Sequence, residues 1–118
     1  MDAEIVIRAL AALAQEHRLA AYRLLVQAGP EGMAAGALSE TLGVPASSMS
    51  FHLSQLANAR LVQQQRQSRS IIYSADFAAM NALMAYMTEN CCGGVPCTAD
   101  TGCTPAAASP SSARKDVA

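Results

Sequence analysis

All four cysteines of this 118-residue chain lie in one short segment, at Cys91, Cys92, Cys97 and Cys103. Thiolates are soft ligands that select thiophilic ions, and they also carry redox chemistry. A secreted domain that depends on disulfides spreads its cysteines through the fold. Because these four cysteines are confined to one segment, the pattern favours metal binding or a redox function.

The residues around these cysteines allow the thiols to converge. Adjacent side chains on a regular helix diverge by about 100°, so Cys91 and Cys92 cannot reach one ion while both remain helical. The two glycines that follow end the helix and let the backbone turn back toward the pair. We therefore predict a site formed by Cys91, Cys92 and Cys97 of one subunit, with Cys103 as an outer or substitute ligand.

Charge is distributed unevenly along the chain. The net charge is −1 at pH 7, a value that taken alone argues against a nucleic-acid partner. Residues 41–75, however, contain no Asp or Glu, whereas Arg60, Arg66 and Arg69 all lie there. A basic face within a nearly neutral chain is typical of a nucleic-acid-binding surface, and a dimer would carry two copies of it.

Membrane proteins and enzymes are both disfavoured by the sequence. No apolar run of about 18 residues occurs, and the acidic start MDAEIVIRAL lacks the basic region of a secretory signal, so we expect a cytoplasmic protein without a membrane partner. The thiols lie on a tail, the only histidines are His17 and His52, and no glycine-rich phosphate loop is present. We therefore expect no catalytic activity.

The first half of the chain predicts helices. Residues 3–14 form an apolar helix that needs a cover, for which a partner subunit is a reasonable candidate. A second helix places four apolar side chains on one stripe, namely Leu19, Tyr22, Leu25 and Val26. The turn at residues 29–32, Gly-Pro-Glu-Gly, ends that helix.

Residues 34–58 have the pattern of a helix-turn-helix. A short helix over residues 34–42 stops at Gly43, and Pro45 favours a new start because proline suits the first turn of a helix. The second helix, residues 46–58, turns Met49, Leu53 and Leu56 inward. Its outward face carries side chains that can reach base edges and phosphates, and we predict DNA contacts from Ser47, Ser48, Ser50, His52 and Gln55.

Residues 60–76 change from a helical to a strand period. Two β-type runs, Leu61-Val62 and Ile71-Ile72-Tyr73, flank the polar QQQRQSRS. The pattern predicts a hairpin with Arg66 and Arg69 near its tip, placed to hold phosphates or to enter the minor groove. Asp76 then caps a last helix that extends to residue 90, with Phe77, Met80, Met84 and Met87 on one stripe that Cys91 continues.

In this order of elements the chain resembles the ArsR/SmtB family of winged-helix, metal-responsive repressors. The resemblance covers about residues 8 to 90 and rests on EHRLAAYRLL, on LSETLGVPASSMSFHLSQLANARLV and on RQSRSIIYS. It implies a mainly α fold with a β-hairpin, a winged helix-turn-helix. It also implies a homodimer that binds a palindromic operator and releases it on sensing a metal or metalloid.

The sequence departs from the family pattern at three places. The first helix of the helix-turn-helix, GMAAGALSE, has no Cys-x-Cys pair, and the last helix keeps Asp76 but has no histidine for a zinc site. At the hairpin tip, Ser68 stands where glycine is common. The C-terminal cysteines remain, and they resemble the family's variant in which trivalent arsenic is captured at and beyond the end of the last helix.

The resemblance therefore implies a repressor that responds to As(III), Sb(III) or a trivalent organoarsenical. Its predicted parts are a DNA-binding and dimerisation domain, residues 1–90, a cysteine-rich metalloid-binding segment, residues 91–103, and a disordered tail, residues 104–118. Zinc or another thiophilic metal is a competing ligand, although structural zinc sites usually space cysteines as C-x₂-C pairs. A redox-responsive repressor and an arsenic-binding carrier protein are two further hypotheses that the cysteines leave open.

Overall fold

The structure is a computed structural model that describes residues 1–94. Residues 1–86 form one compact unit, and a second unit begins at Met87. The elements are α1 (Ala3–Leu13), α2 (Glu16–Ala28), a 3₁₀ turn (Gly29–Glu31), β1 (Met33–Ala34), α3 (Ala35–Leu42), α4 (Ala46–Asn58), β2 (Val62–Gln67), β3 (Ser70–Ala75), α5 (Phe77–Met87) and a second 3₁₀ segment (Cys91–Gly94). No helix within the described residues is both long enough and apolar enough to cross a membrane.

The turn between α3 and α4 follows from two residues. Gly43 adopts the left-handed conformation, with φ 66° and ψ 32°, and its N–H bonds to the carbonyl of Ser39, which ends α3. Pro45 is extended at the start of α4, and its carbonyl accepts from the N–H of Met49 at 2.9 Å. The predicted helix-turn-helix is confirmed, with α4 as its second, recognition helix.

The core of the first unit lies beneath α4. Met49, Leu53 and Leu56 are completely buried there, as their spacing predicts, together with Leu25 of α2 and Leu38 of α3. Full burial of such a side chain contributes about 1.5–3 kcal/mol, so the orientation of α4 about its own axis is strongly specified.

A three-stranded antiparallel sheet in the order β1-β3-β2 follows α4. The β2–β3 hairpin, the wing of the fold, pairs Val62 with Ala75 at its base and Gln67 with Ser70 at its tip. This confirms the predicted hairpin. β1 is not predicted by the sequence analysis, which assigns Ala34 to a helix, because it consists of two residues that pair with Tyr73 and Ile72 far along the chain.

Two non-glycine residues of this region have left-handed backbones. Arg60 has φ 65° and directly follows α4, where the N–H of Leu61 bonds to the carbonyl of Leu56 at 3.0 Å. This is the six-to-one bond of a helix end that usually carries glycine at the residue before it. Ser68 has φ 56° in the two-residue turn of the wing. The wing therefore forms without the glycine common at this position.

The predicted end of the last helix is wrong. α5 is capped by Asp76, whose Oδ1 accepts from the N–H of Ala79 at 3.0 Å, but it stops at Met87 instead of residue 90. Asn90 has φ 57°, a conformation that asparagine tolerates because its short amide can bond locally. Cys91 therefore does not continue the helical stripe.

The apolar stripe of α5 is also divided. Phe77 and Met80 pack against the core beside the buried Leu83, whereas Met84 is 61% exposed. Leu19 of α2 is likewise exposed, although its spacing groups it with the buried Tyr22 and Leu25.

We predict that Gly32→Ala destabilises the fold far more than Gly29→Ala. Both glycines have nearly the same backbone, φ 71° and 80° with ψ −165° and −164°, in a region that only glycine adopts easily. A Cβ at Gly32 would overlap the carbonyl oxygen of Tyr73, whereas one at Gly29 meets nothing within 4 Å. In urea unfolding, Gly32→Ala should cost at least about 2 kcal/mol more than its control. Equal losses would contradict the close packing of Gly32 on β3.

Candidate nucleic-acid interface

The outward face of α4 is formed mainly by small polar residues. Since Met49, Leu53 and Leu56 point inward, residues about half a turn away point outward. The exposed residues of α4 on this side are Ser47, Ser50, Phe51, Ser54 and Asn58. The helix has no charged side chain along its whole length.

The five predicted contact residues of α4 are placed unequally. Ser47 and Ser50 are exposed on the outward face, as expected. Ser48, His52 and Gln55 are half-buried, on a flank of the helix rather than on that face. These three positions share one side of the helix. On that side His52 contacts His17 of α2, and Gln55 lines a groove beside the first two helices.

His52 connects α4 to α2. Its ring centroid lies 5.6 Å from that of His17, and the Phe51 ring approaches it edge-on at 5.9 Å. His52 Nδ1 is buried and has no hydrogen-bond partner within the described residues. Burial lowers the pKa of His52 below its usual 6.5, and the neighbouring Arg18 and His17 lower this pKa further. His52 is therefore neutral at pH 7.

Gln55 lines a groove between α4 and the first two helices. The groove has a volume of about 360 Å³, and its charged lining side chains are Arg8 and Arg18. Arg18 is held in place because its Nε donates to the carbonyl of Ala12 at 2.8 Å. One flank of the recognition helix thus has a basic surface.

The wing adds a second polar surface beside α4. Arg66 lies on β2 opposite Ile71, and Arg69 lies in the turn, next to Ser68. Both arginines are exposed, as are the glutamines of β2. With α4, this hairpin forms a surface that contains no carboxylate between Thr41 and Ala75.

The second unit carries the described part of the cysteine segment. Cys91 Sγ lies 3.6 Å from Cys92 Sγ, and both residues are exposed. The two thiols converge because Cys92 has a left-handed backbone, φ 55° and ψ 39°. At a metal–sulfur bond of about 2.3 Å, sulfurs this far apart subtend about 103° at a shared ion.

Cys97 and Cys103 lie outside the described residues. Within residues 1–94, no three His, Cys, Asp or Glu side chains gather closely enough to hold a metal. The described residues therefore bring two thiols together without a third candidate metal ligand beside them.

The fold and this surface define a winged helix-turn-helix protein, and comparison with known proteins agrees. Residues 13–65 match the family described as a helix-turn-helix domain. The chain is 35% identical over 88 residues to the nodulation protein NolR of Rhizobium meliloti, covering 75% of this chain and 70% of that protein. It is 33% identical over 69 residues to the HTH-type transcriptional regulator YgaV of Escherichia coli, covering 58% and 70%.

Two solved structures extend the comparison. The ArsR-like transcriptional regulator from Rhodococcus sp. RHA1 has a TM-score of 0.64 and 28% identity, covering 74% of this chain and 78% of that one. The homodimeric winged helix-turn-helix domain of Mb0332 from Mycobacterium bovis, a possible ArsR-family regulator, has a TM-score of 0.59 and 27% identity, covering 74% and 81%. This chain belongs to the winged helix-turn-helix transcriptional regulators, a family of DNA-binding proteins and not of enzymes, and it has ArsR-like structural neighbours.

Phe51, Ser54 and Asn58 are absent from the set of contact residues that the sequence analysis predicts. The signal for them was available, since positions 51, 54 and 58 lie opposite the buried stripe on a regular helix. Phe51 is aromatic, so a criterion based on hydrogen-bonding side chains does not select it.

We predict that His52 makes stability depend on pH. The unfolded chain binds a proton on His52 near pH 6.5, whereas the folded chain does so only at lower pH. The contribution of neutral His52 to stability is therefore fully present above pH 6.5 and is lost as the pH falls through the lowered pKa of His52. His52→Gln should flatten the free energy of unfolding between about pH 7.5 and pH 5.5. His17→Gln should keep most of the dependence, because burial of His52 is its larger cause. An unchanged profile in His52→Gln would argue against this coupling.

Proposed function

We propose that the protein is an arsenic(III)-responsive transcriptional repressor that binds operator DNA as a homodimer. Operator release follows when As(III), Sb(III) or a trivalent organoarsenical is bound by thiolates of Cys91, Cys92 and Cys97. The observation that carries this proposal is the convergence of two thiols, at 3.6 Å, directly after a winged helix-turn-helix unit.

The DNA-binding part rests on α4 and the wing. Small hydroxyl side chains on the outward face of α4 can approach base edges closely, and Arg66 and Arg69 have no neighbouring carboxylates in the sequence. We propose Ser47, Ser50 and the wing arginines as contacts. Ser48, His52 and Gln55 are half-buried and would act at the flank, where a phosphate can approach.

The dimeric part rests on apolar side chains that the first unit leaves in solvent. Ile7 of α1 is 66% exposed and Met84 of α5 is 61% exposed, with Ile5 and Leu10 also exposed on α1. Such a concentration of large apolar side chains favours association with a second copy. The homodimeric Mb0332 domain supports the same arrangement for this chain. A dimer would present two recognition helices to half-sites about one DNA turn apart.

The choice of ligand rests on sulfur chemistry. The 3.6 Å between the two sulfurs is far beyond the roughly 2.05 Å of a disulfide bond. The sulfur–ion–sulfur angle of about 103° suits either a three-coordinate pyramid or a tetrahedron. Three cysteines complete a pyramid around trivalent arsenic, whereas zinc needs a fourth ligand and usually paired knuckles. Cys103 would be the substitute or outer ligand.

Binding of an ion by the cysteines can be coupled to DNA binding through α5, which connects the cysteines to the wing along the chain. The cysteines follow α5 in the chain, and the cap residue Asp76 at its other end donates its N–H to the carbonyl of Leu61 at 2.8 Å, at the root of the wing. A shift of α5 caused by ion binding at its end would therefore displace the backbone at the start of the wing. A 1000-fold loss of operator affinity needs about 4 kcal/mol of difference between the two states, and several metal–sulfur bonds can supply that.

We predict that the wing arginines contact phosphates. Arg66→Ala and Arg69→Ala should each weaken binding to all duplexes similarly and reduce the salt slope, d log K/d log[salt], by about one. Fluorescence anisotropy over a range of roughly 50 to 300 mM salt measures this slope. Gln64→Ala on β2 is the control, and it should leave the slope unchanged. An unchanged slope in both arginine variants would remove the wing from the interface.

We predict that Cys91, Cys92 and Cys97 together are required for induction. Wild-type protein should retard its own promoter DNA in a gel shift and release it on adding sodium arsenite, because three thiolates bind the metalloid. The triple Cys→Ser variant should bind the same DNA and stay bound, and Cys103→Ser should still respond.

The same gel shift distinguishes arsenic sensing from the competing functions. Arsenite-driven release by the triple variant would contradict the proposed site. Release of wild-type protein by zinc alone or by a thiol oxidant alone would indicate the corresponding sensor instead. Tight arsenite binding with no retardation of any DNA would indicate a carrier protein.

A further inference from the structure

We infer that Phe51 is a specificity-determining residue that reads thymine, through contact of its ring with the C5-methyl group in the major groove. The inference rests on the proposed binding of DNA by α4 and goes further, since it names one base and one group on it. Its starting point is the position of Phe51, in the middle of the outward face of α4 with 57% of its surface exposed.

The ring of Phe51 is the largest feature of that face. Residues three or four positions away are its neighbours on a helix, and the exposed ones are Ser47 and Ser54. Serine side chains are short, so the aromatic ring extends beyond them and meets a docked surface first.

Base chemistry indicates what the ring would meet. In the major groove, thymine presents a methyl group, whereas guanine presents acceptors that favour Arg or Lys, and cytosine presents a donor that favours Asp or Glu. The recognition helix contains none of these four charged residues. An apolar contact to the thymine methyl group is the recognition mode that Phe51 supplies.

Two geometric facts support this contact: the width of the helix suits the major groove, and the ring of Phe51 is held in position. A helix with side chains is about 10–12 Å wide, which fits a major groove of about 12 Å but not a minor groove of about 6 Å. The ring of Phe51 is supported edge-on by His52, which in turn packs on His17 of α2. An aromatic side chain supported in this way loses little conformational freedom on binding.

The test compares thymine with uracil, which differ only by that methyl group. Duplexes that bind the full-length protein are first selected from a random pool, and each thymine of the selected site is then replaced singly by deoxyuridine. Wild-type protein should lose about four-fold in affinity at one thymine in each half-site, the equivalent of one buried methyl group. Replacing both symmetric thymines should cost about 16-fold.

Variants assign the effect to Phe51. Phe51→Ala should bind the thymine and uracil duplexes equally, whereas Ser54→Ala, a control on the same face, should keep the wild-type ratio. Phe51→Leu keeps an apolar side chain and should retain part of the preference. Since Phe51 is exposed, each variant should melt like the wild type.

Two results would overturn the inference alone: a wild-type protein that binds selected duplexes but is indifferent to every uracil replacement, or a Phe51→Ala variant that keeps the full discrimination. Failure of the wild-type protein to bind any duplex would overturn the proposed DNA binding as well. The two failures are therefore distinguishable.

Discussion

The burial of Met49, Leu53 and Leu56 is the constraint on which the DNA-binding surface depends. These three side chains fix the rotation of α4, and every other position on the helix is then outward or flanking by geometry alone. The same packing sets where the wing starts, because the backbone of Leu61 bonds to Leu56 at the end of α4. One apolar stripe thus positions both parts of the surface.

The flank of α4 shows how polar residues can serve structure and function together. His52 is half-buried in contact with the rings of His17 and Phe51, and burial lowers its pKa, so it stays neutral and supports the Phe51 ring. A charged histidine here would cost stability and repel Arg18. Support of the exposed Phe51 ring from the flank of α4 is a role that a list of hydrogen-bonding side chains does not reveal.

The cysteine pair depends on an interruption of helix geometry. While both residues are helical, their side chains diverge, and the left-handed backbones of Asn90 and Cys92 remove that obstacle. Proximity of two thiols is a property of this local backbone rather than of the fold that precedes it. The winged helix-turn-helix unit and the cysteine pair therefore form for separate physical reasons.

Local signals in the sequence determined the helix-turn-helix, the wing and the cap of α5. Gly43, Pro45 and Asp76 act within a few residues of themselves, and the period of buried residues in α4 needs no distant partner. Tertiary structure alone decided the pairing of β1 with β3, the exposure of Leu19 and Met84, and the burial of His52. The physical reason is that a side chain's environment depends on which distant surface covers it, and spacing along the chain does not contain that information.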